Sequence, residues 1–167
     1  MKSNEESFEA LFAGEYARVA AIANRVLADP HEAEDVAQEV FIDFNRLHSA
    51  SAPYAAAWLY RAAAHKALNR VRGRRRRVRR ELAQATDEGS RTMDPQHVLE
   101  VGEDRRLVRQ ALARLSPKPA AVLVLRSSGL SYAEVAQSLG VGIGQIGTLL
   151  RRAEAALRKE VTRGTSL

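Results

Sequence analysis

A chain of 167 residues with 46% apolar and only 5% aromatic side chains has room for one domain or two small ones, rich in Ala and Leu, which favours helices over sheet. It has no cysteine, which excludes a disulfide frame and a thiolate metal site. No N-terminal signal pattern and no apolar run of about 18 residues is present, so a soluble, cytoplasmic protein without membrane insertion is expected. The net charge of +6 is unevenly spread. Residues 1–45 hold 3 basic and 10 acidic side chains, residues 46–80 hold 11 basic and none acidic, residues 81–104 hold 1 and 7, and residues 105–167 hold 11 and 3. Two basic blocks suggest two polyanion-contacting surfaces, and the acidic front suggests a surface for a protein partner.

In chain order, Phe8, Leu11, Phe12, Val19, Ile22 and Val26 form the apolar stripe of a first helix over about 7–27. Asp29-Pro30-His31-Glu32 is a helix start, with Asp as cap and Pro at the first helical position. The second helix runs to about Leu47, turning Ala33, Val36, Ala37, Val40, Phe41 and Phe44 inward. Asp35, Gln38, Glu39 and Asp43 are left as an acidic strip, which reads either as a solvated face or as a docking strip for a basic partner.

A loop carrying His48, Ser49 and Ser51 leads to Pro53, where a third helix begins that extends at least to Arg72 and is expected to break near Gly73. Helical spacing puts Trp58, Arg61, His65 and Asn69 along one side, with Lys66 and Arg70 nearby. An aromatic ring and cations on one face suit stacking of unpaired bases and capture of phosphates. Core packing of Trp58 and a salt bridge from Arg61 to the second helix are the plainer alternatives. Arg72, Arg74, Arg75, Arg76 and Arg77 belong to a run of seven arginines in ten residues, dense enough to favour sequence-blind phosphate contact over a merely solvated run.

Residues 83–97 lack an apolar period and are rich in Gly, Ser, Thr, Asp and Pro, which marks a linker. Beyond it, a helix carrying Leu107, Val108, Ala111, Leu112 and Leu115 ends at Ser116-Pro117, and a short helix ends near Gly129. Ser131 then caps a helix with Glu134 completing a capping box, Gly140 stops it, and a second helix follows from Ile143 to about Val161. This is the spacing of a helix-turn-helix.

Several of these segments resemble the sigma-70 family of bacterial transcription initiation factors, in the two-domain form of its extracytoplasmic-function group. Asp29 to Phe44 is similar to the core-polymerase-binding helix, Trp58-Leu59-Tyr60-Arg61 to the −10 promoter helix, and Ala113 to Pro117 with Gly129 to Ala136 to the −35 domain. The resemblance implies an all-helical fold of two small domains, a −10 and polymerase-binding unit over 7–82 and a −35 unit over 105–162, joined by a flexible linker over 83–104. It implies that Asp35, Gln38 and Glu39, with Asp43 beside them, grip the clamp of core RNA polymerase (its beta-prime subunit), and that the −35 unit meets the beta flap. His48, Ser49, Ser51 and the third helix would hold single-stranded promoter DNA, and Ser131, Tyr132, Gln145, Thr148, Arg151 and Arg152 would meet the −35 element. An anti-sigma factor or another regulatory partner is expected. The four histidines show no metal-ligand spacing, and no catalytic arrangement or cofactor is implied.

Two positions depart from the family pattern. His65 stands where the family usually has Asn, and Gly147 and Leu149 stand where it usually carries Lys or Arg. The segment from Gly142 to Leu150 has three glycines and no charge, so weak or atypical −35 reading is expected, improved by basic residues at 147 and 149. The competing functions are a polymerase-docking adaptor that relies on another recruiter, a stand-alone helix-turn-helix regulator, and a sequence-blind RNA-binding or nucleoid protein.

Overall fold

The computed structural model describes residues 3–85 and 100–166. Every regular element among them is a helix: α1 (Asn4–Leu27), α2 (Pro30–Leu47), α3 (Ala55–Ala85), α4 (Glu100–Arg114), α5 (Pro117–Ser127), α6 (Tyr132–Leu139) and α7 (Ile143–Thr165).

The ends of these helices follow from their caps. α1 begins a turn earlier than its apolar stripe indicates, because Ser3 and Glu6 form a capping box ahead of the first apolar residue. Asp29 accepts the backbone N–H groups of His31 and Glu32 at the start of α2, at 3.1 and 3.3 Å. Ser131 and Glu134 close the expected box on α6, and Gly140 ends it with φ 68°, a left-handed conformation natural to glycine.

Two expectations are corrected. α3 does not break at Gly73 but continues to Ala85. One glycine costs about 1 kcal/mol in a helix interior, and the flanking arginines are strong helix formers. Of the segment read as linker, residues 83–85 and 100–104 are helical, while residues 86–99 lie outside the described residues. α7 likewise runs helically through Gly144 and Gly147.

The first three helices pack as one unit around Val19, Ile22, Val26, Val36, Val40, Phe44, Leu59 and Leu68, all fully buried. The last four surround Leu125, Leu130, Val135 and Ile146. Each large side chain taken out of water contributes about 1.5–3 kcal/mol. The two units also meet. α3 packs against α4, α5 and α6, and α1 touches α5, so the buried apolar residues form one continuous cluster. Ala63, Ala64 and Ala67 on α3 are small and fully buried, which lets neighbouring helices come close.

Candidate partner-docking and nucleic-acid interfaces

The acidic strip of α2 divides into two edges. Asp35 and Gln38 are exposed and make no polar contact among the described residues, and one turn on Ile42 is 58% exposed. The other edge is tied to α3. Glu39 accepts from Arg70 at 2.7 Å and lies 3.9 Å from Lys66, and Asp43 pairs with Lys66 at 3.0 Å. Glu32 extends this row, meeting Arg70 at 4.0 Å and Arg74. Such pairs at a wet surface contribute about 0–1 kcal/mol each. They hold α2 and α3 in register and leave Asp35, Gln38 and Ile42 as the open surface. Ile42 escaped the sequence reading because a single apolar residue off the core stripe carries no periodic signal.

α3 has two chemically different edges. Lys66, Arg70 and Arg74 face the acids of α2. Arg61, His65, Asn69 and Arg72 follow one another along the other edge. Arg61 and Asn69 are exposed and His65 is half-buried. Lys66 and Arg70 therefore lie on a different edge of α3 from Arg61, His65 and Asn69. Arg76 and Arg77 are exposed and without a polar partner among the described residues. Arg75 is half-buried, with burial first and the nearby Arg114 second lowering its pKa.

At the start of this helix Trp58 is not a bare stacking platform. Its ring is wedged beside Phe44 at 5.4 Å and His48 at 5.2 Å, and His48 stacks on Phe44. Tyr54, which the sequence reading passed over, is the exposed aromatic here. It meets the His48 ring edge-on at 5.4 Å, and its hydroxyl lies 3.0 Å from Nδ1. Ser49 and Ser51 hydrogen-bond each other at 2.9 Å, giving the loop a fixed turn. The loop and helix together present hydroxyls, one open phenol ring and the Arg61 cation, groups that suit unstacked bases and phosphates.

Burial, and then the charges of Arg61 and Arg72, hold His65 below the ordinary histidine range. The unfolded chain takes up this proton below about pH 6.5 while the fold resists it, so stability falls as pH drops from there toward the folded value. His65→Asn is expected to remove that loss. Thermal unfolding of both chains across this range checks it, and parallel profiles would show that His65 is not the source.

In the helix-turn-helix, Ser131 spends its side chain and backbone N–H on the Glu134 capping box, at 3.1 and 3.0 Å. Tyr132 is exposed beneath the Arg126 guanidinium, 5.3 Å from the ring centre. Gln145, Thr148, Arg151 and Arg152 are all exposed on α7, with Arg151 donating to Thr148 at 3.4 Å. Leu149 is half-buried and packs against the core. A basic residue at 149 would sacrifice that packing, so the expected gain from position 149 is withdrawn. Gly147 is different: a Cβ there meets only Arg151 Nη1, at 3.9 Å.

A junction between the two units was not legible in the sequence. Arg18 on α1 lies over the Tyr60 ring of α3, 4.9 Å from its centre, and donates to the Tyr60 hydroxyl at 3.1 Å. The same guanidinium meets both carboxylate oxygens of Glu134 on α6, at 2.8 and 3.2 Å. Tyr60 in turn donates to Glu15, and burial, with Glu15 next, pushes its pKa up to about 12. The Ser131 backbone N–H and then Arg18 hold the Glu134 carboxyl below the usual range. Among the described residues no three acidic or histidine side chains converge as metal ligands would, and no helix is long and apolar enough to cross a membrane.

Comparison with known proteins matches residues 11–77 to the family model described as Sigma-70 region 2 and residues 105–157 to that described as Sigma-70, region 4. The chain is 31% identical over 156 residues to the ECF RNA polymerase sigma factor SigW of Bacillus subtilis, covering 82% of this chain and 79% of that protein. It is also 31% identical over 154 residues to the ECF RNA polymerase sigma factor SigE of Mycolicibacterium smegmatis, covering 89% of this chain but only 59% of the relative's length. Among solved structures, CnrH in complex with the cytosolic domain of CnrY superposes with a TM-score of 0.54 at 21% identity, over 93% of this chain and 88% of that one, a likeness of fold alone.

Proposed function

The chain belongs to the sigma-70 family of transcription initiation factors, in its extracytoplasmic-function group, and from that premise we propose how its surfaces divide the work. Residues 7–82 bind core RNA polymerase and open the −10 region, and residues 105–162 meet upstream DNA. The observation that carries this reading is the open edge of α2. Among the described residues Asp35 and Gln38 stand unpaired beside an exposed Ile42, a polar rim next to an apolar anchor, which is the composition of a protein-docking surface. The clamp of the polymerase beta-prime subunit is the partner for this edge, and the beta flap is the partner for the second unit. A regulatory partner of the anti-sigma kind is expected to compete for the same surfaces.

On the DNA side, the His48–Tyr54 loop and the Arg61, His65 and Asn69 edge of α3 hold the unpaired strand. Arg76 and Arg77 contact phosphates, and Lys66 and Arg70 brace α2 from within. The function is one of binding and melting, carried out in the cytoplasm where polymerase and DNA are. The test is reconstitution: the chain added to bacterial core polymerase should co-purify with it and support promoter-dependent run-off transcription. Tight duplex binding with no polymerase capture would favour the stand-alone regulator instead.

Weak −35 reading follows from the first turns of α7, which carry no cation before Arg151. The adaptor alternative rests on the same segment. Gly147→Arg is expected to add one phosphate or base contact, raising duplex affinity several-fold and steepening the salt dependence by about one. Binding to a family-type −35 duplex at two salt concentrations measures both. An unchanged salt slope would mean that this part of α7 does not face DNA.

A further inference from the structure

Ile143 stands in line with Ile146 and Leu150 at helical spacing, and both of those are buried. Ile143 itself is 57% exposed and takes no part in the apolar cluster of the described residues. It is a large aliphatic side chain left in water at the first position of α7. In a helix-turn-helix this is the end of the second helix that contacts base edges in the major groove. Its neighbours Gly142 and Gly144 carry no side chain, and a Cβ on either would meet nothing within 4 Å. Ile143 is therefore a solitary apolar knob at the tip. Gln145 and Thr148 are the next exposed side chains, and Arg151 is the first cation on the helix.

The charges around this tip fit a duplex. Arg151 and Arg152 are exposed further along α7, and Arg126 lies over the exposed Tyr132 ring at the start of α6. Residues 105–167 carry 11 basic and 3 acidic side chains. Cations flanking an apolar tip match a groove walled by phosphates. Inside the major groove the apolar group on offer is the C5 methyl of thymine, and the partner of a glutamine is adenine. Guanine is read by Arg or Lys, and the first turns of α7 hold neither. We propose that Ile143 is a specificity-determining residue that reads thymine methyls, with Gln145 bonding to adenine, so that α7 selects A·T-rich upstream duplex and makes no guanine contact. This deepens the reading of residues 105–162 as meeting upstream DNA and rests on it. One buried methyl is worth about fourfold in affinity, so the reading is selective without being tight.

The test is selection by the full chain from a pool of short random-sequence duplexes, in which sequence-blind binding through the Arg run enriches nothing. Wild type should enrich an A·T-rich element. Replacing the thymines of that element by deoxyuridine removes only the 5-methyl groups and should weaken binding about fourfold for each methyl in contact. Ile143→Ala should bind the thymine and deoxyuridine forms equally, at the affinity wild type has for the latter. Its thermal unfolding should match wild type, because the side chain is exposed. Arg152→Ala should weaken both forms by the same factor, as loss of a phosphate contact does. A guanine-centred element, no enrichment, or equal binding of both forms by wild type would overturn methyl reading, while an effect of Arg152→Ala would keep α7 on the DNA. A thymine preference that survives Ile143→Ala would overturn the role of Ile143. No enrichment together with unchanged binding by Arg152→Ala would mean that α7 does not meet DNA, and the inference would fall with that reading.

Discussion

Asp35→Ala, Gln38→Ala and Glu39→Ala together are expected to cut capture of core polymerase by at least about tenfold, the loss that one or two well-placed interface residues carry. The fold should barely notice. All three are exposed on α2, and alanine is the best helix former, so the change in stability should stay within about 0.5 kcal/mol apart from the Arg70 pair. The structure also ranks the three. Glu39 is held by Arg70 and Lys66, so part of its loss would reflect loosening of α2 against α3. Asp35 and Gln38 have no such tie among the described residues, and their double replacement should reproduce most of the effect. Pull-down of core polymerase with the three chains, alongside thermal unfolding of each, separates docking from folding. Full capture by the triple variant would sink the α2 docking surface.

Phe44→Ala is expected to destabilise the chain by about 3–5 kcal/mol, the range for removing a buried aromatic ring. Against a total stability of about 5–15 kcal/mol this is a large fraction. Phe44 is fully buried, and it supports both His48 and Trp58, the two rings that shape the start of the candidate single-strand site. The chain has one tryptophan, so its fluorescence reports on this cluster alone. Urea unfolding followed at Trp58 should show an earlier midpoint and, in the folded baseline, an emission shifted toward that of a wetter ring. A loss below about 1 kcal/mol would mean that the site collapses around the missing ring and that Phe44 does not hold it in shape.

What could be read from the sequence was what is local. The Asp29 and Ser131 caps, the stop at Gly140 and the inward stripe of α2 are set by residues within one or two turns of each other, and the structure keeps all of them. The resemblance of the two segments to one family was legible for the same reason, being carried by contiguous runs. The misses are of another kind. Lys66 and Arg70 look like DNA-facing cations until α2 is laid beside them and Glu39 and Asp43 take them up. Arg18 and Glu134 are 116 positions apart, and no spacing rule links them. A helical period shows that a residue lies off the core stripe, but not which neighbour will be there. Gly73 failed as a stop because a local penalty of about 1 kcal/mol is small beside the helix-forming residues around it.

Glu134 accepts the backbone N–H of Ser131 and also the guanidinium of Arg18. In evolutionary terms it is a pleiotropic position. A substitution there alters the contact between the two units and, at the same time, leaves the Ser131 backbone N–H of the α6 capping box without its acceptor. Arg18 carries no helix cap, so drift toward a chain with more or less freely separating units is more accessible through changes at residue 18. Close relatives in which the two units pack more loosely should vary at that arginine while keeping the acid.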